Sequence, residues 1–155
     1  PDAVVWALGA GTGSVSIECA RMCPFGEVYA VEYKPEALDI LEQNKTRFQT
    51  ENLQIVAGRA EEQVQHLPVP DCVFLGGSSG AAKQLVAGLR QLRQPVRLVA
   101  SAVTMETQAE LFPLLQELPQ FEVVQLAVGC GKTVGNYHVL EGNHPVLLFS
   151  CMTKE

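Results

Sequence analysis

The sequence predicts an α/β protein built on a mostly parallel seven-stranded sheet that ends in an antiparallel strand pair. Three observations predict it. Short apolar, β-branched runs alternate with helix-like segments along most of the chain. Several of these runs are apolar nearly throughout, as in strands covered on both faces. The last two runs have no helical pattern between them, so they are expected to pair in opposite directions.

Taken in order, strands are expected over residues 3–8, Glu27–Glu32, Leu53–Ala57, Cys72–Leu75, 96–102, 121–127 and Val146–Met152. Helices are expected over Ser14–Met22, Pro35–Phe48, a short stretch from Ala60, then 81–93 and 106–118. Pro35 suits a first helical turn, where its missing N–H costs nothing. Ala37, Leu38, Leu41 and Phe48 give that helix an apolar side, and Leu85, Leu89 and Leu92 repeat at helical spacing further on. Between the last two strands, residues 129–135 are expected to form a glycine-rich connection.

The richest stretch runs Val4-Val5-Trp6-Ala7-Leu8-Gly9-Ala10-Gly11-Thr12-Gly13-Ser14-Val15-Ser16-Ile17-Glu18. An apolar strand stops at a glycine-rich loop, and the loop opens a helix. In an open α/β sheet that turn lies at the carboxyl edge of the strands, where ligands bind. A dinucleotide site asks for G-x-G-x-x-G. Here the glycines fall at 9, 11 and 13, with Ser14 next, and that spacing favours S-adenosylmethionine over NAD or FAD. The second strand ends in Glu32, followed by Tyr33. Glu32 stands at roughly the ~20-residue offset at which a carboxylate meets a ribose, and it opposes a 2′-phosphate. Gly9, Ala10, Gly11, Thr12, Gly13, Glu32 and Tyr33 are thus the candidate cofactor residues. A tight turn with no ligand is the plainer reading of the glycines alone.

Composition narrows the partners. A net charge of −6 over 155 residues argues against a nucleic-acid partner, which calls for a basic stripe. The longest apolar runs fall well short of the ~20 residues of a membrane-spanning helix, and no leader-like segment precedes the first strand. Five cysteines, odd in number and set in apolar segments, suggest reduced thiols in a cytoplasmic protein. With no C-x-x-C pair and three scattered histidines, no metal site is expected. The whole chain, 1–155, is expected to be one domain. Because it starts almost on its first strand, either a missing upstream segment or a domain cut from a longer polypeptide is expected.

Later motifs add candidates. Gly58-Arg59-Ala60-Glu61-Glu62 follows the third strand. The N–H of Ala60 could meet a base edge, and the side chains of Arg59 or Glu61 could reach an exocyclic amine. Equally, Glu61 and Glu62 are acids in the first turn of a helix, where the macrodipole favours them. After the fourth strand come Gly76-Gly77-Ser78-Ser79-Gly80. The glycines leave room for a bulky acceptor, and Ser78 could bind a carboxylate or cap a helix. Thr104 could cap the helix after the fifth strand or face the substrate. Lys132 could pair with substrate carboxylates or stand in solvent. His138 is a weaker candidate, and no catalytic set emerges.

These motifs together resemble a family. Trp6 before the Gly9–Gly13 loop and its continuation to Glu18, Phe74-Leu75-Gly76-Gly77-Ser78, Ala102-Val103-Thr104-Met105-Glu106-Thr107 and Asn143-His144-Pro145-Val146 are similar to the decarboxylating precorrin methyltransferases of cobalamin biosynthesis. The resemblance covers nearly the whole chain. It implies the class I S-adenosylmethionine-dependent methyltransferase fold, which is Rossmann-like, with strand order 3-2-1-4-5-7-6. It implies methylation of a corrin precursor at carbon 15, with loss of carbon dioxide from the ring C acetate. It also implies a homo-oligomer, often a tetramer, and a C5-methylating partner subunit or fused domain. The cofactor loop would be Gly9 to Gly13, the ribose acid Glu32 and the adenine turn Ala60. Gly76, Gly77, Ser78, Thr104 and Lys132 are the candidate substrate residues. The sequence departs from the family at Ala7, where an acid is usual, at Arg59, where an Asp commonly contacts adenine, and at Ser101, where Asn is common. Two other readings stay open: a class I methyltransferase for another small-molecule acceptor, and an inactive partner subunit of the same fold.

Overall fold

The computed structural model describes residues 1–77 and 80–155. Its main sheet has seven strands in the order β3-β2-β1-β4-β5-β9-β6. They are β1 (Val4–Leu8), β2 (Glu27–Glu32), β3 (Leu53–Ala57), β4 (Cys72–Leu75), β5 (Arg97–Ala102), β6 (Glu122–Leu126) and β9 (Val146–Met152). The first five run parallel, and β9 enters antiparallel between β5 and β6. Counting β9 as the seventh expected strand, this is the order that the resemblance implies.

Parallel neighbours require crossovers, and helices supply them. They are α1 (Ser14–Met22), α2 (Pro35–Phe48), α3 (Ala60–Gln63) with a 3-10 turn over Val64–His66, α4 (Ala82–Gln91) and α5 (Met105–Leu115). Side chains of β1 alternate between two cores. Val5 packs with Ile17, Ala20 and Leu41 on the α1–α2 face. Trp6 and Leu8 pack with Leu85, Leu89, Leu111 and Phe149 on the face covered by α4 and α5. An apolar residue is therefore needed at every β1 position, which accounts for the unbroken run in the sequence.

Helix ends follow local chemistry. Pro35 is the first residue of α2, and that helix ends at Gln49 in the left-handed region. The Thr104 hydroxyl accepts the Thr107 N–H at 3.2 Å and so caps α5. That cap starts α5 one residue earlier than expected, and the helix stops at Leu115 rather than at 118.

One expectation needs correction. Residues 129–135, expected as a glycine-rich connection, contain a strand. They form β7 (Gly129–Val134), which turns through Gly135-Asn136 into β8 (Tyr137–Gly142). Gly135 has φ +60°, the positive angle a tight hairpin needs at its first turn position. The pair makes a second, two-stranded sheet whose residues are all exposed. The glycines masked a strand pattern that the Gly-Asn step could have signalled.

Candidate functional site

The carboxyl edge of β1, β2 and β4 opens onto a cavity of about 320 Å³. Gly9, Gly11, Thr12, Glu32, Tyr33 and Gly77 are among its lining residues. Each arrives there for a local reason. The amides of Gly9 and Ala10 both donate to the Val31 carbonyl at 3.0 Å, turning the chain sharply at the end of β1. Gly9 has φ +68° and Gly13 φ +87°, angles that side chains with a Cβ resist. A Cβ on Gly9 would stand 2.5 Å from the Gly77 carbonyl oxygen. The loop after β1 and the loop after β4 therefore touch backbone to backbone.

Glu32 is only 6% exposed. Its Oε2 accepts the Gly11 N–H at 2.9 Å, and its Oε1 accepts the Tyr33 and Lys34 N–H groups at 2.8 and 2.9 Å. A carboxylate has about four acceptor sites, so among the described residues one direction on Oε2 is left unused. The side chain thus stitches the loop to the β2–α2 turn. On the far side of the loop, Asn44 of α2 donates to the Thr12 carbonyl at 2.9 Å.

The turn after β3 closes one end. Gly58 donates to the Glu32 carbonyl at 2.9 Å. Arg59, Ala60 and Glu61 then line the cavity. The Arg59 guanidinium lies over the Tyr33 ring, 5.0 Å from its centroid. At the other end sit Gly76 and Gly77. A Cβ on Gly76 would meet the Gly9 carbonyl oxygen and the Phe74 ring at 2.9 Å, whereas one on Gly77 would meet nothing within 4 Å. Close packing explains Gly76, and open space lies beside Gly77.

Of the remaining expected residues, Ala10 and Gly13 shape the loop without lining the cavity, and Ser78 falls outside the described residues. Thr104 is engaged as the α5 cap. Lys132 is held on the β7–β8 hairpin by Glu141, at 2.9 and 3.1 Å from its two carboxylate oxygens. His138 lies on the same hairpin, opposite Thr133. Neither of these is a lining residue. Ala7 is fully buried on β1 and brings no polar group to the edge. Lys34 and Ala37 do line the cavity and were not selected from sequence; their place at the start of α2, directly after Glu32, was the available signal. Among the described residues, no group of three or more His, Cys, Asp or Glu side chains could hold a metal ion.

The family model for the precorrin methyltransferase domain matches residues 1–153. The chain belongs to the precorrin methyltransferase family. Among curated relatives, the cobalt-precorrin-6B C(15)-methyltransferase (decarboxylating) of Salmonella typhimurium is 33% identical over 151 residues, covering 96% of this chain and 78% of that protein. Among solved structures, the precorrin-6y C5,15-methyltransferase of Geobacter metallireducens superposes with a TM-score of 0.84 at 32% identity, covering 99% of this chain and 80% of that one. The C-terminal domain of precorrin-6Y C5,15-methyltransferase from Rhodobacter capsulatus superposes with a TM-score of 0.83 at 25% identity, covering 97% and 80%. The Rossmann-like methyltransferase fold of the family is the fold described above.

The residues present fit an S-adenosyl cofactor. Gly11 carries no side chain toward the cavity, and a Cβ there would meet nothing within 4 Å. The one open acceptor direction of Glu32 suits a ribose hydroxyl.

Proposed function

We propose that this chain transfers a methyl group from S-adenosylmethionine to carbon 15 of a precorrin-6B or cobalt-precorrin-6B type substrate and removes the ring C acetate carboxyl as carbon dioxide. The observation that carries the reading is the Glu32–Gly11 cradle in a chain of this family. When bound, S-adenosylmethionine supplies an electrophilic methyl group. The chain's own part is positional. Glu32 holds the loop and a hydroxyl, Tyr33 and Arg59 flank one end of the cavity, and Gly77 leaves space at the other. The acceptor carbon belongs to a conjugated macrocycle, and breaking the carboxyl carbon bond returns an electron pair to that conjugation. Holding donor and acceptor in line is then the main demand on the protein.

The chain works in the cytoplasm as one methyltransferase domain in this reading; no helix among the described residues is long and apolar enough to cross a membrane. It assembles as a homo-oligomer, a tetramer by family resemblance, and acts beside a C5-methylating subunit or domain. The β7–β8 hairpin supports assembly. Isolated two-stranded hairpins are marginal in water, yet this one exposes Val134, Tyr137, Val139 and Leu140.

The test is incubation with S-adenosylmethionine and the corrin precursor, followed by mass spectrometry. The product is expected to have gained a methyl and lost carbon dioxide. Unchanged corrin, under conditions where calorimetry shows cofactor binding, would count against the acceptor. No binding of S-adenosylmethionine or its demethylated product would favour the inactive-subunit reading.

A further inference from the structure

The end of the cavity at Tyr33 holds an arrangement that the glycine loop does not account for. The Arg59 guanidinium carbon lies 5.0 Å from the Tyr33 ring centroid, and Arg59 Nη1 lies 3.9 Å from Glu61 Oε1. The Glu61 side chain is 23% exposed, and all three residues line the cavity. Among the described lining side chains, only the Tyr33 ring and the Arg59 guanidinium present broad flat faces. A nucleoside whose ribose reaches Glu32 finds its stacking surface there, because a guanidinium and an aromatic ring both take a planar base.

The edge of the base sets a second requirement. The exocyclic amine of adenine donates, and the ring nitrogen beside it accepts. Arginine can only donate, and an ionised carboxylate can only accept. An acid at position 59 would have supplied the acceptor; with Arg59 there, the acceptor within the same turn is Glu61. A carboxylate at that position complements the amine of adenine and opposes a 6-oxopurine, whose oxygen there can only accept.

We propose that Arg59 is a cofactor-selecting residue whose guanidinium, laid on Tyr33, provides a stacking face and holds Glu61 so that its carboxylate accepts the exocyclic amine of adenine. This rests on the S-adenosylmethionine reading above. It turns Arg59 from a lost contact into a relocated one.

The experiment measures dissociation constants for S-adenosylhomocysteine and its 6-oxo analogue, S-inosylhomocysteine, by calorimetry on the whole chain. The unaltered protein is expected to prefer the adenine ligand by roughly tenfold or more, the scale of a hydrogen bond to a charged group. In Glu61→Gln the preference is expected to fall to within about threefold, because an amide can either accept or donate. Arg59→Ala is expected to weaken both ligands and to narrow the preference. Arg59→Lys is expected not to restore it, since lysine keeps the charge without the flat face. An undiminished preference in Glu61→Gln, or full rescue by Arg59→Lys, overturns the proposal and leaves the cofactor reading standing. If the unaltered protein binds neither ligand, the cofactor reading falls and the proposal with it.

Discussion

The Gly11 amide donates to Glu32 Oε2 at 2.9 Å across 21 residues of sequence, so the glycine loop is tied to the acid at the end of β2. The same carboxylate accepts two further amides from the turn that starts α2. One side chain thus organises two of the backbone segments that bound the cavity.

Glu32→Ala is therefore expected to act twice. Loss of a hydrogen bond to a charged group would weaken S-adenosylhomocysteine binding by about 1.5–3 kcal/mol, and the three orphaned amides would lower stability by a comparable amount. Calorimetry and thermal melting would measure the two effects separately. An unchanged dissociation constant with a lowered melting temperature would leave Glu32 a structural role only.

Gly9 and Gly11 look alike in sequence but differ in space. Ala at position 9 meets the Gly77 backbone at 2.5 Å on top of a positive φ, while Ala at position 11 meets nothing. Gly9→Ala is expected to cost about 2–4 kcal/mol, from strain plus displacement of the second loop, and Gly11→Ala only about 1–2 kcal/mol from strain. Urea denaturation of the two variants would compare them, and equal losses would deny the loop–loop contact.

These cases mark what could be found in the sequence. Strand, loop, helix and Glu32 are local patterns at fixed offsets, and the helix start at Pro35 and the cap at Thr104 are local as well. What escaped depends on chain segments meeting in space. Gly76 is small because the Gly9 carbonyl and the Phe74 ring lie against it, a contact no periodicity encodes. Asn44 looks like an ordinary polar residue of α2 until it is seen to hold the Thr12 carbonyl. The β7–β8 hairpin was hidden for another reason. Its glycines weaken strand propensity, and with no residue of it buried there is no in–out burial to pattern the sequence.

Gly88 offers a gain in stability at a residue that does not line the cavity beside Glu32. It lies inside α4, exposed, and a Cβ there would meet nothing within 4 Å. Gly88→Ala is expected to stabilise the fold by about 0.8–1 kcal/mol through helix propensity and to leave cofactor affinity unchanged. A lowered melting temperature would mean that the open side of α4 is covered by something in solution.

Alkaline pH should loosen the sheet. Cys151 on β9 is fully buried, and burial pushes its thiol up from 9.0 to about 11. A pKa raised in the folded state gives stability that is present below about pH 9 and lost as pH rises toward 11. At most about 2–3 kcal/mol rides on this one group. Cys151→Ala is expected to start from a lower stability, because a small cavity replaces the sulfur, and to fall less steeply over that window. Parallel pH profiles for the two proteins would remove Cys151 from the account.

The hairpin carries the last prediction. Tyr137 is 76% and Leu140 82% exposed, values unusual for large apolar side chains on ordered strands in a protein with a net charge of −6. If a second copy covers them, charge placed there should oppose association without harming the main sheet, because neither belongs to either core cluster. If the chain assembles as proposed, Tyr137→Glu with Leu140→Glu is expected to leave a monomer by light scattering where the unaltered protein is a homo-oligomer. Binding of S-adenosylhomocysteine should survive, since no hairpin residue lines the cavity. An oligomer of unchanged mass would place the interface elsewhere. A monomer that has also lost the cofactor would mean that assembly orders the Glu32–Gly11 cradle.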